Sequence, residues 1–163
     1  MKIFLYSLII LTFFSTSIAQ TTKKNYICKK AEKELWRELA DSGRYHDAIN
    51  ILLDSIQTSK QKNKNGTYWH IGQLYASNNE YAFAIKYIKK STSFFDKLFD
   101  REWRLYYNGT IAFLNKDKKK LKICNDKLWK KHSEYYYFNA CKLKALYENF
   151  DKPYKLAYKM DCK

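Results

Sequence analysis

Apolar residues recur along most of this chain at steps of three and four, and the recurrences are punctuated by short polar clusters. That rhythm belongs to amphipathic helices, because residues three and four apart share a helix face. It predicts helices near 26–41, 44–57, 67–78, 81–97, 101–115, 117–131, 134–149 and 152–161. Gln57 to Gly66 is polar and reads as a longer solvated connection. The start of the chain breaks the rhythm. Lys2 precedes a mostly apolar run from Ile3 to Phe14, and Ser17 and Ala19 supply small side chains after it. This charged, apolar, small-residue order is that of a secretory signal peptide, with cleavage expected after Ala19. The run is too short for a bilayer-spanning helix, which needs about twenty residues. The expected organisation is a signal peptide over 1–19 and one exported helical domain over 20–163.

The helical pattern also repeats on a longer scale. The clearest copy contains Tyr68, Ile71-Gly72, Tyr75, an Asn78-Asn79 turn, Tyr81 and Ala84. Upstream, Leu35, Leu39, Gly43, Tyr45, Ala48, Ile49 and Leu52 are in phase, with Trp36 in the slot that Gly72 fills. Downstream, Leu105, Asn108-Gly109, Ala112, Leu121 and Cys124 follow, and then Ala140, Leu143, Lys144, Tyr147, Leu156 and Met160. Trp36, Gly72, Gly109 and Lys144 are 36, 37 and 35 residues apart. The pattern resembles the tetratricopeptide repeat, with Tyr68, Gly72, Tyr75, Tyr81, Ala84 and Gly109 as its signature positions. The resemblance implies an all-α, right-handed solenoid of about four helical hairpins near 26–57, 65–97, 101–131 and 134–162.

Such an array leaves a concave face lined by the first helix of each hairpin, which in the resembled family binds peptides or partner segments. Transferred by phase, its groove positions are Lys30, Lys33, Arg37, Trp69, Gln73, Trp103, Tyr106, Thr110, Phe113 and Phe138. The implied surface has a cationic end and an aromatic centre, suited to an acidic protein or peptide segment with large apolar anchors. One family variant clamps a C-terminal carboxylate. Lys33 matches a clamp slot, but His70 and Tyr107 stand where other polar or basic clamp residues are needed.

Composition narrows the function. The 163 residues hold 31 Lys and Arg against 16 Asp and Glu, a formal charge of +15, with 18% aromatic residues, four Gly and one Pro. So few turn residues argue against a sandwich or barrel. Only Arg37, Arg44, Arg101 and Arg104 are arginine, so the bidentate forks that readers of nucleic acid rely on are scarce, and nucleic acid is not expected. Of the charge, +8 lies from Lys116 onward, where Lys119, Lys122, Lys127 and Lys130 oppose Leu121, Cys124 and Leu128 on one helix. That stretch suggests an alternative role, a cationic envelope-associated binder of acidic lipid or polysaccharide. No nucleophile motif, phosphate loop or metal-ligand spacing is present, so neither catalysis nor a cofactor or metal is expected. Export permits disulfides among Cys28, Cys124, Cys141 and Cys162. Cys141 lies level with Cys124 across one helical turn and with Cys162 across the next, and Cys141–Cys162 is the expected pair because it staples the last helix.

Overall fold

The computed structural model describes residues 35–60 and 62–160, and every regular element among them is helical. A helix described over 35–41 (α1) leads to α2 (Tyr45–Thr58), α3 (Asn65–Ser77), α4 (Tyr81–Lys90), α5 (Phe94–Phe99), α6 (Arg101–Leu114) and α7 (Lys118–Lys130). A short 3-10 turn, Glu134–Tyr136, then runs into α8 (Tyr137–Glu148), and α9 (Tyr154–Lys159) closes the described chain. The signal segment, Lys30, Lys33, Cys28 and Cys162 lie outside the described residues.

The helix expected over 81–97 is two helices. At the end of α4 the Ser91 hydroxyl donates to the Ile88 carbonyl at 2.7 Å, turning the chain out of the helix. Two residues on, the Ser93 hydroxyl accepts the Asp96 N–H at 3.1 Å and Asp96 Oδ2 accepts the Ser93 N–H at 2.8 Å. This reciprocal capping box starts α5 as a separate helix. Asp100 and Asp117 cap α6 and α7 in the simpler way, accepting from the N–H groups of Trp103 and Lys120, each at 2.9 Å.

Three of the turns between helices are copies of one another. Gly43, Asn79 and Lys116, separated by 36 and 37 residues, all have positive φ, at 83°, 63° and 59°. In each turn this residue donates its N–H three residues back, to Ala40, Ala76 or Phe113, and the next residue donates five back, to Leu39, Tyr75 or Ala112. That pair of bonds is the Schellman motif, and it satisfies the otherwise orphaned carbonyls at the helix end. Gly and Asn enter the left-handed region readily. Lys116 does so at a cost, offset by its ammonium lying 5.0 to 5.6 Å from the ring centroids of Phe113, Phe150 and Tyr81. The turn before α9 has no positive φ. There Lys152 donates to Asn149, and Pro153 leads into the helix with φ −56° and ψ 149°.

The core has two clusters that share α3. Ile71 and Leu74 pack with Tyr45, Ala48, Ile49 and Leu52 of α2, while Trp69 and Ala76 belong to a larger cluster reaching through α6, α7 and α8 to α9. Two glycines let neighbouring helices close in. A Cβ on Gly72 would stand 2.6 Å from Ile88 Cγ1 and 3.1 Å from the Ala84 carbonyl oxygen; one on Gly109 would stand 2.5 Å from Leu143 Cδ1 and 3.2 Å from Cys124 Cβ. Around Gly66 nothing lies within 4 Å of such an atom. Gly72→Ala is therefore expected to lower stability by about 1–2 kcal/mol, its overlap with Ile88 and the α4 backbone outweighing roughly 1 kcal/mol of helix propensity gained. Gly66→Ala should not lower it, and urea unfolding of the two variants beside the parent checks both signs.

Candidate functional site

The face expected to form a groove is built by α3 and α6, and α9 lies across it. Tyr158 of α9 accepts a hydrogen bond from Gln73 Nε2 of α3 at 3.1 Å and shares one with the Tyr106 hydroxyl of α6 at 3.0 Å. Tyr154 stacks on Tyr158 with centroids 5.2 Å apart and meets Phe113 edge-on at 5.9 Å. Its backbone N–H donates to the Tyr81 hydroxyl at 3.2 Å. The last helix is held against α3 and α6 by its own aromatic side.

This rearranges the expected site. Tyr106, Thr110 and Phe113 are core residues at 2%, 0% and 0% exposure, because α9 covers the face they line, and Trp69 is buried beside them at 8%. Thr110 turns its hydroxyl back onto the Tyr106 carbonyl at 2.9 Å, leaving nothing for a ligand. Gln73 is engaged by Tyr158. Phe138, by contrast, is 60% exposed, with only the Lys142 ammonium drawn over its ring. Arg37 lies over the ring of Trp36, 4.6 Å from its centroid, and Trp36 packs on His70 at 5.1 Å. Of the repeat-signature residues, Gly72, Ala84 and Gly109 are buried between helices, and Tyr68, Tyr75 and Tyr81 are half-buried at their margins.

What stays open is the end of the face beyond α9. There Trp69 and Trp103 meet at 4.8 Å, both beside Tyr106, and form the wall of a cleft of 310 Å³. Asn65, Gly66, His70, Ser91, Asp96, Asp100 and Tyr136 complete its lining. The Trp103 indole N–H donates to Thr92 Oγ1 at 3.3 Å, which fixes the ring. Tyr136 donates to Asp100, and burial together with that carboxylate raises its phenol well above the ordinary range. Asp96 is held below the ordinary carboxylate range by the Ser93 N–H and hydroxyl. Beyond the two aspartates a second, wider hollow of 770 Å³ opens between α5, the start of α6 and the end of α7. The segment α5 and the contribution of Tyr136 are absent from the groove assigned by phase. The one sequence signal for them is the spacing Ser93-x-x-Asp96, which marks a helix start.

No protein-family model, curated protein or solved structure matches this chain. The cleft therefore has to be read from its own chemistry. It offers the partly exposed indole of Trp103 backed by the buried Trp69, and two carboxylates already engaged in capping.

The cysteines divide cleanly. Cys141 of α8 is disulfide-bonded, whereas Cys124 is a free buried thiol that burial raises above its ordinary value. The alternative pairing of Cys124 with Cys141 is thereby removed.

The tyrosines under α9 give a pH signature. Burial raises Tyr106, Tyr154 and Tyr158 above the ordinary tyrosine value of 10.0, with mutual proximity adding to the shift for Tyr106 and Tyr154. The fold holds their neutral forms, so their contribution is complete below pH 10.0 and is lost as pH climbs from there toward their folded values. Unfolding midpoints are expected to be flat through neutral pH and to fall above about pH 10. Tyr158→Phe should cost about 1–2 kcal/mol, since it leaves the Tyr106 hydroxyl buried without its partner, and should speed amide exchange in α9. Unchanged exchange there would remove the tyrosine pair from its holding role.

Proposed function

We propose that the chain is a non-catalytic, protein-binding scaffold of the tetratricopeptide-like kind, acting in the cell envelope or outside the cell. The observation that carries this reading is the threefold Schellman turn at spacings of 36 and 37 residues, in phase with the close-packing slots of Gly72 and Gly109. Three identical reversals at a fixed interval support an array of helical hairpins rather than an unrelated bundle. In this reading α9 has left the outer layer of the fourth hairpin and fills much of the concave face. The binding seat is what it leaves uncovered, the cleft of Trp69 and Trp103.

The occupant is a peptide segment with one large apolar or aromatic anchor. A partly exposed tryptophan, Trp103, seated on a buried one in a partly desolvated cleft is the kind of anchor point that carries much of the affinity in small interfaces. Asp96 and Asp100 on the rim give that cleft a negative lining. The anchor's neighbours are therefore neutral or basic, and the acidic partner that the phase-transferred groove suggests is not favoured here. Gly66 sits on the rim with open space above it, so Gly66→Phe blocks the cleft without disturbing the core. Peptides selected from a random displayed library are expected to share an aromatic or long aliphatic residue and to quench tryptophan emission. Gly66→Phe should weaken them by at least about tenfold; equal binding by that variant would remove the cleft from the mechanism.

Export is part of the same proposal, and the disulfide at Cys141 supports it, because such bonds persist in oxidising compartments. The mature chain is expected to begin at Gln20. A non-reducing peptide map should join Cys141 to Cys162 and leave Cys124 to react with alkylating reagent only after denaturation. A fragment joining Cys141 to Cys28 would overturn the terminal staple.

A further inference from the structure

The short helix α5 is inside out. Wound at 100° per residue, Phe94, Leu98, Phe95 and Phe99 fall on one arc of about 140°, and Asp96 and Lys97 occupy the rest. In a surface helix the apolar arc faces the core. Here those four side chains are 72%, 52%, 67% and 78% exposed, and the polar arc is the one fastened to the body. Asp96 accepts from Asn65 Nδ2 at 3.2 Å, the Lys97 carbonyl accepts from the Arg104 guanidinium at 2.7 Å, and the Lys97 ammonium lies 5.1 Å from the Tyr107 ring centroid. The rings meanwhile pack on one another, Phe94 against Phe95 at 5.9 Å and Phe95 against Phe99 at 6.3 Å. The inversion is therefore built in by three independent contacts.

We propose that α5 is a membrane-docking wedge, its phenylalanine face entering the interfacial layer of an anionic bilayer. This is a further binding surface, separate from the peptide cleft. Area argues against a protein occupant. With aromatic side chains at about 200 Å² each, the face exposes roughly 500 Å², whereas a stable dimer or complex needs about 800 Å² from each partner. A bilayer sets no such threshold, since each ring that enters the acyl region contributes by itself. Charge selects the lipid. Exposed Lys89 and Lys90 end the preceding helix, and Arg101 and Lys131 line the hollow that Phe95 and Phe99 border. The carboxylates near them, Asp96, Asp100 and Glu102, keep their charge while accepting hydrogen bonds from Ser93, Trp103 and Ser133, so the attraction to anionic lipid comes from the net positive charge of the whole chain rather than from this rim alone. Long cationic side chains around an apolar wedge can reach lipid phosphates while the rings stay below them. The basic helix α7 offers a smaller apolar surface, because Leu121, Cys124 and Leu128 are spent on the core and Ile123 and Trp129 are what it leaves exposed.

The test is sedimentation of the mature chain with vesicles of phosphatidylcholine alone or mixed with phosphatidylglycerol, beside the double variant Phe95→Ser, Phe99→Ser. Because both side chains are exposed, the variant should keep the parent's circular dichroism and unfolding midpoint. The parent is expected to bind the mixed vesicles and the variant to bind at least about tenfold more weakly. In Phe99→Trp, the added emission should shift to the blue on binding and be quenched by lipids brominated high on the acyl chain. Parent and variant binding equally would make the attraction one of lysines alone and overturn the wedge. So would an unshifted emission in vesicle-bound Phe99→Trp, or self-association in ultracentrifugation that the double variant abolishes. Because Gly66→Phe replaces none of the exposed rings of α5 and Phe95→Ser, Phe99→Ser replaces no residue of the cleft, loss of peptide binding in the one and loss of vesicle binding in the other are read separately.

Discussion

The fold depends on how closely its helices can approach at Gly72 and Gly109. At each site the neighbouring residues occupy the volume a Cβ would need, Ile88 and the α4 backbone in one case, Leu143 and Cys124 in the other. These approaches bring α3 onto α4 and set α6 against α7 and α8, so most of the larger cluster is ordered around two missing methyl groups. The Schellman turns are the matching constraint on the backbone. By ending a helix and reversing the chain the same way at Gly43, Asn79 and Lys116, they deliver the next helix at the register the glycine slots require.

Both constraints lapse together only at α8 and α9, since the Gly43 turn persists after Trp36. The slot that holds glycine in the middle holds Trp36 at one end and Lys144 at the other, and both carry side chains too large for close approach. Trp36 lies against His70, and Lys144 reaches over the ring of Trp129 at 4.6 Å. The turn after α8 lacks the left-handed residue, and Pro153 starts α9 from an extended conformation. With no slot to enter and no fixed reversal to follow, α9 finds its burial on α8 and, through its tyrosines, on α3 and α6. Tyr154, Ala157 and Tyr158 supply the surface it needs there.

Much of this was legible in the residues. Helical periodicity placed nearly every helix within a few residues, since amphipathic stripes dictate burial directly. The period near 36 located the glycines and turns. Two features were not legible, for different reasons. Phase transfer assumes that the outer helix of each hairpin stays outside, so it assigned Tyr106, Thr110 and Phe113 to an open groove that α9 in fact covers. The break at Ser91 to Ser93 was masked because Phe94, Phe95 and Leu98 continue the apolar count of the helix before them. A pattern of apolar residues records which side chains share a face, but not whether that face turns inward. Only the polar contacts of Asp96 and Lys97 decide that, and they involve Asn65 and Tyr107, residues distant in sequence.

The same reasoning separates α7 from α5. On α7 the lysines oppose a buried stripe of Leu121, Cys124 and Leu128, so charge there keeps a packed surface solvated. On α5 the apolar arc is the solvated one. Its exposure costs the fold little relative to the unfolded chain, where the same rings also meet water, but it adds a standing tendency to associate. A formal charge of +15 opposes that tendency between copies, since like-charged surfaces repel at the distances where four rings could meet. It does the reverse toward an anionic surface. A sequence that exposes phenylalanines on a chain of high net positive charge thereby disfavours self-association and favours a negatively charged bilayer by one and the same charge.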